Sequence, residues 1–225
     1  MGLGSSTMTQ ADSVPAKFET ITQLLGSACS RRTFSQEEGD VLEWALTQIA
    51  MDGSGPVTEV VSSYHSSLLA GADWHAAVSA GLLQTPREWG GEIRRALSSF
   101  ELLRDEYAAC DVEVFRFADG VITQNATQVP PLPGYVPVSA PKDLRPARLL
   151  ELADELDVMG EGLELAKVFQ DRFSYVLKRD YKLSFHGALA ALFCDLGIES
   201  DKVPRLLSVA ALVSIIFKPE DSPLF

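Results

Sequence analysis

Apolar residues recur along this chain at three- and four-residue intervals, and strand-like alternation is almost absent, so the pattern predicts an all-α protein. Residues 17–28 place Phe18, Ile21, Leu24 and Leu25 on one face of a first helix. Ser35 opens a second helix, with Glu38 completing a capping box and Val41, Leu42, Ala45, Leu46 and Ile49 as the buried face. Residues 52–56, DGSGP, break the chain, and a third helix over 57–70 stops at Gly71, a plausible left-handed cap. Asp73 caps a short helix over 74–83. Thr85, Pro86 and Glu88 form a second capping box that opens a long helix running through Trp89, Gly90 and Gly91 to about Ala109.

Residues 111–125 read less clearly and accommodate a short helix. The segment 129–137 holds four prolines and a glycine, which excludes a regular helix and makes it the most loop-like stretch inside the fold. Further helices are predicted over 146–156, 161–179, 185–196 and 201–217.

Composition narrows the function classes. Of 225 residues 46% are apolar, enough for a well-buried core, and the net charge is −12 from 31 acidic and 19 basic residues. An acidic chain is a poor partner for nucleic acid or an anionic membrane, though a few local cations suffice for a small anion. The longest apolar run, residues 206–217, is too short to span a bilayer, which needs about 20 residues. The N-terminus lacks the basic and apolar regions of a signal peptide and reads as a disordered leader over residues 1–15. Cys29, Cys110 and Cys194 are odd in number and widely spaced, as expected of free thiols in a reducing, cytoplasmic setting. His65 and His75 have no second ligand one turn away, so no metal site is expected.

Five segments in order resemble the citrate synthase superfamily, nearest to its compact citryl-CoA lyase branch and the C-terminal module of ATP-citrate lyase. They are "LLGSACSRRTFSQEEGDVLEWAL", "MDGSGPVTEVVSSYHSSLLAGADWHAAVSAGLLQ", "TPREWGGEIRRAL", "LPGYVPVSAPKDLRPARLLELADEL" and "LSFHGALAALFCDLG". They are similar to the family's early helix pair, its "ADHG-P-S" turn with the "AAGL" helix, its "RFGGA" helix start, its "PGFGHPVYKDGDPRA" loop and its "NVDGALAALLLDLG" helix. The resemblance spans roughly residues 17–218. It implies a two-lobed helical fold, with residues 16–95 and 185–222 in a large lobe and 96–184 in a small one, and a homodimer.

Such a family enolises an acyl-CoA. A carboxylate removes the weakly acidic α-proton, one histidine donates to the thioester oxygen, and a second histidine and arginines hold the acceptor. This chain departs at each catalytic position. Asp52, Gly53 and Ser54 stand where the turn histidine is expected. Val136 replaces the loop histidine, His186 takes the place of the carboxylate, and Ala211 stands where many members carry an arginine.

The candidates that follow are His186 as acid/base, or else a hydrogen-bonded structural histidine, with Asp52 and Ser54 as a catalytic corner or plain turn residues. Arg145, Lys142 and Arg87 are candidate anion contacts, Arg145 otherwise being a first-turn surface residue and Arg87 a partner of nearby acids. Tyr135, Val136, Trp89, Gly90 and Gly91 would border the substrate or simply pack the core.

The resemblance thus implies a non-standard enzyme of carbon–carbon bond formation, cleavage or cyclisation, in specialised metabolism. It would act on a small acyl-CoA or carboxylate substrate, with coenzyme A as part of the substrate rather than a tightly bound cofactor. The alternative is a catalytically dead member that serves as a binding subunit or pairs with an active paralogue.

Overall fold

The computed structural model describes residues 20–30, 32–52, 56–84 and 90–217. Among them run ten helices: α1 (Ile21–Ser30), α2 (Gln36–Ala50), α3 (Pro56–Leu69), α4 (Trp74–Leu83), α5 (Gly91–Ala108), α6 (Val114–Gln124), α7 (Arg145–Glu155), α8 (Glu161–Leu177), α9 (Phe185–Asp195) and α10 (Val203–Phe217). The expected leader over 1–15, Phe18, Ser54 and the Thr85–Glu88 capping box lie outside the described residues, as do Arg87 and Trp89. No helix among the described residues is long and apolar enough to cross a membrane.

The caps stand as the sequence indicates. Ser35 accepts from Glu38 N while the Glu38 carboxylate accepts from Ser35 N, and Asp73 accepts from Ala76 N. Gly71 adopts φ +89 after α3, a conformation that only glycine enters cheaply. The buried face of α2 is Val41, Leu42, Ala45, Leu46 and Ile49.

Three expectations are corrected. On α1 the buried residues are Gln23, Gly26 and Cys29; of the expected apolar face Leu25 packs partly buried against the core, while Ile21 is 76% and Leu24 44% exposed. Phe34, in the link to α2, folds back so that its ring lies where a side chain on Gly26 would be, and this close approach turns the Gly26–Cys29 side inward. The long helix does not pass through Gly90. That residue is left-handed at φ +77, which an α-helix does not tolerate internally, and α5 begins at Gly91. The proline-rich stretch ends in a strand, β1 (Tyr135–Pro137), that pairs antiparallel with β2 (Tyr181–Leu183), with Val136 opposite Lys182. Two three-residue strands are too short to leave a visible period of two in the sequence.

Helix α9 is the axis of the core. Phe185 and every residue from Gly187 to Cys194 are buried, because it is packed from several sides by α5, α7 and α8. Helix α10 packs on α2, α3 and α4, and Ser214 Oγ donates to the Ala50 carbonyl at 2.7 Å. At the far end of α9, Asp195 reaches the first turn of α8 and accepts from Gly162 N at 2.6 Å and Leu163 N at 2.9 Å. Burial pushes its carboxyl up to about 6, against the downward pull of those N–H groups. Cys29, Cys110 and Cys194 are free thiols.

Candidate active site

The start of α9 is tied to the proline-rich loop by its own cap. Ser184 Oγ accepts from Gly187 N at 3.0 Å and donates to the Gly134 carbonyl at 2.9 Å, and Ser184 N donates to that same carbonyl at 2.9 Å. Gly134 is left-handed at φ +92, and a Cβ on Gly187 would collide with the Gly134 carbonyl. Two glycines are therefore required for the loop and helix backbones to cross this closely. The crossing brings Val136 and His186 onto one wall.

That wall bounds a cleft of about 330 Å³, closed on its other sides by Glu92 and Arg95 of α5 and by Pro130 and Pro133. His186 Nδ1 lies 2.9 Å from Glu92 Oε2. The imidazole is 51% and the carboxylate 70% exposed, so both reach solvent at the mouth. Arg95 stands one turn beyond Glu92 and has no ion-pair partner among the described residues. The cleft thus combines apolar proline and valine surface with an imidazole, a carboxylate and a guanidinium. Such a set moves a proton and attracts an anion. Neither Glu92 nor Arg95 is distinguishable in the sequence from ordinary polar residues near the start of a helix; only the position of His186 across the cleft marks them.

The remaining candidates are engaged in other contacts or lie beside this cluster. Arg145 is held by protein carboxylates rather than left free for a ligand. Its Nε and Nη2 donate to Asp143 at 3.0 and 2.8 Å, and its Nη1 donates to Asp52 at 2.9 Å. The pairing holds Asp143 below its ordinary range and Arg145 above its own. The guanidinium also lies over the Phe185 ring. Asp52, at the end of α2, is thus an ion-pair partner of Arg145. Lys142 is exposed, without an ion pair among the described residues. Tyr135 borders the cleft but is a core residue. It is 2% exposed, packs against Phe100 and Phe173, and donates its hydroxyl to the Ala166 carbonyl at 3.0 Å. Gly90 and Gly91 set the start of α5 one residue before Glu92. Among the described residues no three His, Cys, Asp or Glu side chains gather as a metal ion would require.

No protein-family model matches the sequence, and no curated protein matches it significantly. Solved structures do match in fold. The citryl-CoA lyase from Hydrogenobacter thermophilus superposes with a TM-score of 0.65 at 18% identity, over 92% of this chain and 81% of that one. An ATP citrate lyase from Methanothrix soehngenii, in complex with citrate and coenzyme A, superposes with a TM-score of 0.55 at 21% identity. A mutant ATP citrate lyase from Methanosaeta concilii, in complex with (3S)-citryl-CoA, gives 0.51 at 21% identity. Each of these two matches covers 87% of this chain, which spans about a third of the length of those lyases (32%). The fold is the citrate-synthase-like helical fold of citryl-CoA lyase.

Proposed function

We propose that this chain is a non-standard enzyme of the citrate-synthase-like fold that acts on an acyl-CoA or other carboxylate-bearing substrate, forming or breaking a carbon–carbon bond or closing a ring, in place of ordinary citrate synthesis. The observation that carries this reading is His186 held against Glu92 on a cleft that also contains Arg95. An α-proton next to a thioester is weakly acidic, and an imidazole beside that carbon is a competent base near neutral pH. Arg95 supplies the charge that draws in a carboxylate or steadies an enolate oxygen. A cleft of about 330 Å³ holds the acyl end of a substrate while the rest of coenzyme A stays outside.

Deuterium exchange tests it. Acetyl-, propionyl- and malonyl-CoA are incubated with enzyme in D₂O, with and without oxaloacetate, and the acyl group is weighed by mass spectrometry. The expected result is enzyme-dependent deuteration of at least one thioester, lost in His186→Ala, with no citrate formed. Exchange that survives His186→Ala unchanged would overturn the assignment.

A second reading, a partner subunit without its own chemistry, is favoured by the capture of Arg145 between Asp52 and Asp143. Activity that arises only when the chain is co-purified with an active paralogue would select it. The exposed Leu69, Trp74 and Leu83 on α3 and α4 favour a homodimer, which light scattering would test.

A further inference from the structure

We infer that Glu92 is a positioning residue that holds neutral His186 in the Nδ1–H tautomer, so that Nε2 is the nitrogen that takes the substrate's proton. The geometry is specific to one ring atom: Glu92 Oε2 lies 2.9 Å from Nδ1. A carboxylate only accepts, so the short contact requires the hydrogen to be on Nδ1. Free neutral imidazole prefers the opposite form, with the hydrogen on Nε2, and a ring left alone at the mouth of the cleft would offer Nδ1 as its base. The charge-assisted hydrogen bond reverses that preference, as a carboxylate commonly does when it fixes a histidine through its far nitrogen.

The two partners are carried on different elements, Glu92 in the first turn of α5 and His186 in the first turn of α9. Those two helices pack directly on each other, and Ser184 fixes the start of α9, so the pair is set by the fold rather than by a local turn. Arg95 lies one turn further along α5, on the same cleft. The carboxylate that orients the base and the cation that would receive an anionic substrate thus project from one helix, in a fixed relation to the imidazole across from them. The catalytic meaning of the tautomer rests on the acyl-group chemistry proposed above; the tautomer itself does not.

Long-range ¹H–¹⁵N correlation spectra of the ligand-free full chain, recorded at a pH where His186 is neutral, read the protonated nitrogen directly. His186→Gln identifies the signal among the three histidines of the chain. The wild type is expected to show Nδ1–H as the main form of His186, and Glu92→Ala to return it to mainly Nε2–H. Glu92 is largely exposed, so its truncation leaves the core intact. A wild-type His186 that is mainly Nε2–H, or a spectrum unchanged in Glu92→Ala, would overturn the inference. Because no substrate is present, failure of the thioester exchange experiment and failure of this one are separate results.

Discussion

The guanidinium of Arg145 lies 4.4 Å above the ring of Phe185, the residue immediately before His186, while the same guanidinium grips Asp52 and Asp143. One side chain therefore joins the end of α2, the start of α7 and the start of α9. Arg145→Ala is expected to lower stability by about 1–2 kcal/mol, since partly exposed ion pairs are screened but two carboxylates and a stacked ring lose their partner together. Lysine should not restore it, because an ammonium cannot hold two carboxylates in a planar fork. Asp143 sits below its ordinary value of 3.8 in the folded state, so its contribution is present above that value and lost as pH falls through the acid range. Urea unfolding at pH 7 and below pH 4 should show a smaller acid loss in Arg145→Ala than in the wild type.

Asp195 has the opposite sign. Its folded value of about 6 exceeds the ordinary 3.8, so the folded state binds the extra proton between those limits and loses stability as pH rises through them. Asp195→Asn cannot titrate, and it also gives up one of the two backbone hydrogen bonds, because the amide has a single acceptor oxygen. The wild type's margin over Asp195→Asn should therefore shrink by about 2 kcal/mol between pH 4 and pH 7, measured by chemical denaturation. A constant margin would show that Asp195 titrates at its ordinary value.

Two glycines give opposite outcomes on alanine substitution. Gly187→Ala drives a methyl into the Gly134 carbonyl and is expected to cost about 2–3 kcal/mol. Gly120 lies inside α6 with nothing within 4 Å of its would-be Cβ, so Gly120→Ala should stabilise by about 0.5–1 kcal/mol. Melting temperatures of the two variants, taken side by side, check both directions.

Tyr135→Phe removes the hydroxyl bonded to the Ala166 carbonyl and should cost about 1 kcal/mol. It should leave thioester exchange unchanged, since the hydroxyl faces α8 rather than a substrate. A large fall in exchange at constant stability would return Tyr135 to the substrate-contact role that its place in the loop first indicates.

The helical scaffold is legible in the sequence because its signals are local. Ser35 with Glu38, Asp73 and Gly71 each mark an end by chemistry within a few residues, and α2 shows its buried face directly. The α1 face is not legible, since it depends on where the Phe34 ring folds, a contact made eight residues after Gly26. Gly90 likewise depends on its close approach to Leu207 of α10. At the site, His186 is marked by its position in a recognisable segment. Glu92 and Arg95 become candidates only when packing of α5 on α9 places them opposite it. Of the two carboxylates that hold Arg145, Asp143 stands two residues away in the sequence, whereas Asp52 is 93 residues away and is brought in only by the fold.

The crossing of Gly134 and Gly187 has a consequence for how such a protein changes over time. Positions 136 and 186 are carried on two backbones locked together by main-chain and Ser184 contacts, none of which involves the side chain of either position. Side chains there can be exchanged one at a time without moving the platform that presents them. A lineage can pass from one set of reactive groups to another through folded intermediates, and the same two positions are the natural starting point for installing new chemistry in the laboratory.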